Sequence, residues 1–117
     1  MAKSLVEKVY TYNKALSEPQ RIKMMKIICS SEEETVCVTD IARLLKISQP
    51  AATKHLKILC DAGFIKRKRV GSNVYYSANL ETIEDYKKVL EYSFIQGFKP
   101  CRFDYDCDNC PYKETCA

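Results

Sequence analysis

The chain has 117 residues, 46% of them hydrophobic, a formal net charge of +4 and seven cysteines. That length supports one modest core and not two. With neither a signal-peptide-like apolar run nor a stretch of about 18 apolar residues, secretion and membrane spanning are not expected. A cytoplasmic location is the expectation, and there an odd number of cysteines argues for metal or redox chemistry over a disulfide framework.

Leu5, Val9, Tyr12 and Leu16 recur at helical spacing between Lys3 and Leu16 and predict a first helix. Ser17 is the expected N-cap of a second, with Pro19 in its first turn. That helix carries Ile22, Met25, Ile28 and Cys29, and stops at Ser30-Ser31-Glu32-Glu33-Glu34, where the apolar period is lost and an exposed loop is predicted. Cys29, and Cys60 further on, fall within apolar patterns and are expected in the core. Thr39 and Asp40 predict the cap and acidic first turn of a short helix from Ile41 to Lys46. After a turn at Lys46-Ile47, Ser48 caps a further helix with Pro50 just inside it. Ala52, Leu56 and Leu59 share one face of this helix, and Thr53, Lys54 and Lys57 the other. Two short helices around so brief a turn make a helix-turn-helix.

Gly63 ends that helix, as a residue able to take positive φ. Phe64 to Arg69 and Val74 to Ala78 are strand-like runs around Val70-Gly71-Ser72-Asn73 and predict a hairpin, a wing whose first strand carries Lys66, Arg67, Lys68 and Arg69. Alternation lets about two of those four cations share a face. Last, Leu80, Ile83, Tyr86, Leu90 and Phe94 form a stripe on a long helix ended by Gly97 and Pro100. This stripe and that of Leu5, Val9 and Tyr12 exceed what a monomer of this size covers, and they predict a homodimer in which the two meet across a two-fold axis. The fold class is therefore mainly α with a small antiparallel β-hairpin, a winged helix-turn-helix over residues 1–99, followed by a cysteine-rich tail over residues 100–117.

Charge divides the chain. From Arg43 to Arg69 there are eight lysines and arginines against Asp61 alone, whereas from Cys101 onward Asp104, Asp106, Asp108 and Glu114 face only Arg102 and Lys113. Nucleic acid is the partner expected for the middle, and a solvated or metal-binding role for the end. With one histidine and no acid–base constellation, the chain is not expected to be an enzyme.

Four segments, Leu16 to Ile22, Val36 to Leu45, Ile47 to Ile65 and Arg67 to Ser77, together resemble the ArsR family of winged-helix transcriptional repressors, in the family's order and over about residues 5 to 97. The resemblance implies a homodimer joined through its first and last helices, binding double-stranded operator DNA until an inducer lowers its affinity. It implies that the helix from Ser48 to Asp61 enters the major groove, with Ser48, Gln49, Thr53 and His55 facing DNA. The residue chemistry agrees: Gln reads adenine, hydroxyls and a helix N-terminus bind phosphate, and Lys54, Lys57, Arg67 and Arg69 neutralise the backbone. Arsenic- and cadmium-sensing members carry a Cys-Val-Cys pair where this chain has Cys37-Val38-Thr39, so that site is incomplete. Zinc-sensing members use carboxylates and histidines on the last helix, where this chain has no histidine from Leu80 to Phe98.

The tail lies outside the shared pattern. Cys101, Cys107, Cys110 and Cys116 are spaced C-x5-C-x2-C-x5-C, a thiolate set suited to a [4Fe–4S] cluster or, as the alternative, to tetrahedral zinc. Structural zinc sites usually pair two short knuckles, and here only Cys107 and Cys110 form one, so the longer arms favour a cluster. The spacing resembles the iron–sulfur loop of endonuclease III-type glycosylases, one residue short in the first gap. A thiol-based sensor without a resident metal is the remaining expectation.

Overall fold

Ser4 opens the first helix by accepting the Glu7 amide on its hydroxyl at 3.1 Å. The structure, a computed structural model, describes residues 3–112. Helix α1 covers Leu5–Ala15 and α2 covers Pro19–Ser30. Ser17 does not cap α2. Its hydroxyl donates back to the Lys14 carbonyl at 2.8 Å, and Glu18 takes the N-cap position without a side-chain bond. The end of α1 is so close that its orphan carbonyls claim the serine first.

Strand β1, Val36–Cys37, runs directly into α3, Val38–Leu45, with Cys37 at the N-cap. The predicted cap at Thr39 is thus too late, because pairing of β1 with β3 holds residues 36 and 37 extended and leaves the helix free to begin at once. Lys46 turns the chain at φ 56°. Helix α4, Gln49–Asp61, starts as expected from Ser48, whose hydroxyl accepts the Ala51 amide at 3.2 Å. Gly63 follows at φ 89°. The hairpin pairs β2, Ile65–Val70, with β3, Asn73–Ala78, through the two residues Gly71 and Ser72, a tighter turn than the four-residue one predicted. The sheet is antiparallel in the order β1-β3-β2. Helix α5, Leu80–Tyr92, ends in a π-helical turn, Ser93–Gly97. The structure is mainly α with a small antiparallel sheet, the winged helix-turn-helix expected.

Met24, Ile41, Leu56, Leu59, Phe64 and Tyr76 are fully buried and bring α2, α3, α4 and the sheet onto one core. Tyr12, Phe64 and Tyr86 stack as a triangle with ring centroids 5.4 to 5.6 Å apart. This changes the part of the two apolar stripes. Tyr12 and Tyr86 meet inside one protomer, where Tyr86 also donates to Asn13 Oδ1 at 2.7 Å, and the large apolar side chains left exposed on α1, α5 and the turn after it are Val6, Tyr10, Leu80, Tyr92, Phe94 and Ile95. Gly97 packs the end of this π-helical turn against α1: a Cβ there would lie 2.5 Å from the Tyr92 ring and 2.9 Å from Leu5 Cδ1. Among the described residues no helix is long and apolar enough to cross a membrane.

Tyr12 donates to Asp85 Oδ2 at 2.5 Å, and burial first, then that bond and the Asp85 charge, push its phenol up to about 12. A raised folded value means that this contribution is complete below the ordinary value of about 10 and is lost as pH rises through about 12. Tyr12→Phe should therefore remove one late phenolate from an ultraviolet titration and flatten the loss of stability over that window. An unchanged titration in the variant would assign the late phenol to another residue.

Candidate nucleic-acid interface and cysteine tail

Because Ala52, Leu56 and Leu59 are buried, the helical period turns Gln49, Thr53, Lys54 and Lys57 outward, and all four are exposed. With Pro50 and Ala51 they line an open groove on the surface of α4. Ser48 is exposed at its N-cap, with one lone pair already used in capping. Lys57 is partly neutralised. Its Nζ lies 2.9 Å from Asp61 Oδ2, and that hydrogen bond and charge hold the ammonium above its ordinary range. Both groups are exposed, so the pair contributes little to stability. His55 is half-buried, and its Nδ1 lies 3.1 Å from an Arg21 nitrogen.

On the wing, Lys66, Arg67, Lys68 and Arg69 are all exposed, and the register separates them into two faces. Arg67 stands opposite Tyr76 and Arg69 opposite Val74, while Lys66 and Lys68 stand opposite Ser77 and Tyr75. Burial pushes the Tyr76 phenol up, opposed by the Arg67 guanidinium beside it. Arg69 donates from Nε to the Gly71 carbonyl at 3.3 Å and stiffens the tip.

The cysteines divide by environment. Cys60 is half-buried against the core, and burial pushes its thiol up. Cys29, expected in the core, is instead exposed as a residue at the last turn of α2. Its sulphur lines an apolar groove with Leu16, Ile22, Met25 and Ile83, and that surrounding raises its thiol. Helical spacing located the stripe, but Cys29 falls at its edge, on an open groove and not within the core. Cys37 accepts a hydrogen bond on sulphur from Thr39 Oγ1 at 3.3 Å, so a hydroxyl stands at the third position of the Cys-Val-Thr run, where a Cys-Val-Cys pair has its second thiol.

In the tail, Cys101 accepts two backbone amides on its sulphur, from Phe103 at 3.3 Å and Tyr105 at 3.4 Å, and Cys110 accepts one from Tyr112 at 3.4 Å. The turn around Cys101 puts both Asp104 and Tyr105 at positive φ, 54° and 62°, a backbone arrangement that costs each residue on the order of 1 kcal/mol. Phe103 packs on Tyr112 with centroids 5.9 Å apart, tying the two turns together. Cys107 opens a single 3-10 turn, Cys107–Asn109. Cys116, the fourth predicted ligand, lies outside the described residues. Among the described residues no three Cys, His, Asp or Glu side chains are gathered closely enough to hold a metal ion. The donor chemistry fits a thiophilic metal, and amide bonds to sulphur are a recurring feature of such ligands.

Residues 18–67 match the family model of bacterial regulatory proteins of the arsR family. A cadmium resistance transcriptional regulatory protein CadC homolog of Staphylococcus aureus is 34% identical over 82 residues, 70% of this chain and 64% of that protein. An uncharacterised HTH-type transcriptional regulator of Methanocaldococcus jannaschii is 35% identical over 86 residues, 73% of this chain and 94% of that protein. The solution structure of a homodimeric winged helix-turn-helix DNA-binding domain from Mycobacterium bovis, a possible ArsR-family regulator, superposes with a TM-score of 0.61 at 18% identity, over 83% of this chain and 90% of that one. The chain spans 58% to 65% of the length of three curated relatives, the cadmium regulator among them. The match over the helix-turn-helix, and a relative covered almost end to end, place the chain in the ArsR family of bacterial regulatory proteins.

Proposed function

We propose that this chain is a homodimeric transcriptional repressor that docks α4 into the major groove of an inverted-repeat operator. Affinity is set by a thiolate site in the tail. The observation that carries the DNA half is the exposed polar row at the start of α4 beside four exposed cations on β2. Gln49 and Thr53 are the base readers, Ser48 and His55 make the remaining helix contacts, and Lys54, Lys57, Arg67 and Arg69 bind phosphate. Lys57 is the weakest of these, since Asp61 already holds its ammonium. Support for the dimer comes from the exposed apolar surface at the ends of α1 and α5 and from the homodimeric neighbour of the same fold.

The molecule divides functionally at residues 99 and 100. Residues 1–99 bind DNA and dimerise, and Cys101, Cys107, Cys110 and Cys116 of the tail hold the metal. The spacing of those thiols, the amide bonds to two of them and the cadmium-resistance relative support this assignment. A [4Fe–4S] cluster would supply a redox- and oxygen-sensitive centre there, whereas zinc would supply a fixed cross-link. This makes the protein a sensor and binder and not a catalyst.

In mobility-shift titrations the protein should prefer its operator over a random duplex, with half-sites about one helical turn apart and affinity falling steeply with salt. Replacing Gln49 or Thr53 should cost about 1–3 kcal/mol of discrimination each. Replacing Arg67 or Arg69 should weaken binding to both duplexes alike and lower the salt slope by about one. Equal binding of operator and random duplex by the unmutated protein would dispose of the repressor reading.

A further inference from the structure

Arg21, in the first turn of α2, reaches acceptors on two other helices. Its Nε donates to the carbonyl of buried Ala15 at 2.6 Å and one terminal nitrogen to the Lys14 carbonyl at 3.4 Å, both on the last turn of α1. Its other terminal nitrogen lies 3.1 Å from Nδ1 of His55, in the middle of α4. A guanidinium carries donors only, so Nδ1 must be the acceptor of this bond. The hydrogen of the neutral ring therefore sits on Nε2, and the imidazole has one donor left.

We propose that Arg21 is a positioning residue for DNA binding. It holds His55 as an Nε2–H donor and ties the recognition helix to the end of α1. Having Nδ1 occupied, His55 meets DNA only through an acceptor, either a phosphate oxygen or a base acceptor (N7 or O6 of guanine, N7 of adenine, O4 of thymine), and cannot accept from the amino groups of adenine or cytosine. The tautomer follows from the Arg21 contact alone, whereas its use rests on the DNA-binding function proposed above.

The chain has one histidine, so the imidazole nitrogen resonances of the labelled full-length protein belong to His55. At about pH 8, where an ordinary imidazole is neutral, the free protein should show the Nε2–H form, and Arg21→Gln should shift it toward a mixture of tautomers with helicity retained. An Nδ1–H form in the unmutated protein overturns the proposal, as does an identical spectrum in Arg21→Gln. In DNA titrations Arg21→Gln should lower operator affinity about tenfold. His55→Asn keeps an acceptor toward Arg21 but has no donor at the Nε2 position, and should lose as much. His55→Gln carries an amide nitrogen to that position and should lose less. Equal losses on operator and random duplex identify the acceptor as phosphate. A loss confined to the operator, and removed when its guanines are replaced by 7-deazaguanine, identifies guanine N7. No loss on either duplex for both His55 variants overturns the donor role even where the unmutated protein still prefers its operator. Absence of that preference in the unmutated protein is instead the failure of the repressor reading.

Discussion

Replacing Phe94 and Ile95 together by glutamate should convert the protein from a dimer to a monomer and lower operator affinity by at least about a hundredfold, because each half-site then binds without the other's effective concentration. The two side chains are 69% and 75% exposed on the π-helical turn that follows α5, so neither carries the protomer's core. Their replacement should leave its stability within about 0.5 kcal/mol. Exposed Val6 and Tyr10 on α1 belong to the same end, since the backbone at Gly97 sits against Leu5. A surface of this kind is costly in a lone monomer and is covered at low cost by its own copy across a two-fold axis. Leu90, which helical spacing alone would select, is half-buried within the protomer. Leu90→Asp therefore mixes unfolding with dissociation and is the poorer test. Light scattering on both proteins, with unfolding curves as the control, checks the expectation. A monodisperse monomer of the unmutated protein, or a persistent dimer of the double variant, would count against an interface at this end.

Helix α4 was legible in full because its cap, its proline and its buried face at Ala52, Leu56 and Leu59 all point to one answer. Strand β1 was not, since two residues have no period and are extended only because β3 offers them partners far along the chain. For the same reason α3 begins at Val38 with its cap at Cys37, and not at Ile41 with a cap at Thr39. The apolar stripes of α1 and α5 were found, but spacing says which residues share a face and not which surface that face meets. Phe64, just before β2, packs against both Tyr12 and Tyr86, which also touch each other, and closes the two stripes within one protomer. The Arg21 contact to His55 joins residues 34 apart on different helices, and no local pattern encodes it. In the tail only the four-cysteine spacing was legible, whereas the amide hydrogen bonds to the Cys101 sulphur depend on the positive φ of Asp104 and Tyr105, residues whose side chains do not signal it.

Loading and emptying the tail should change operator affinity by at least about tenfold, or about 1.4 kcal/mol of coupling between the metal site and the DNA surface. The physical route is short. Phe98 donates its amide to the Ser93 carbonyl at 3.0 Å and stacks edge-on against Phe94 with centroids 5.3 Å apart, so the segment leading into the tail touches the exposed apolar surface proposed for dimerisation. Cys101 follows three residues later. Gathering Cys101, Cys107, Cys110 and Cys116 onto one centre restrains that segment and with it Phe98, and a shift of a few ångströms at the two-fold axis misplaces one recognition helix from its groove. The loaded form is expected to bind the operator more tightly, because a restrained tail lowers the entropy lost when the two last helices come together. Cys107→Ser with Cys110→Ser should abolish metal content, while Cys29→Ser and Cys60→Ser should leave it intact. A brown anaerobic preparation that bleaches in air identifies the iron–sulfur cluster, and a colourless one with about one zinc per chain identifies the tetrahedral site. Full metal retention in the Cys107 and Cys110 double variant would move the site elsewhere, with Cys37 and its Thr39 neighbour the first place to look. The decisive measurement is fluorescence anisotropy on one labelled operator with the loaded protein, the emptied protein and a truncation ending at Lys99, at matched salt. Three equal affinities would leave the tail thiols a purely structural role and separate metal binding from DNA binding altogether.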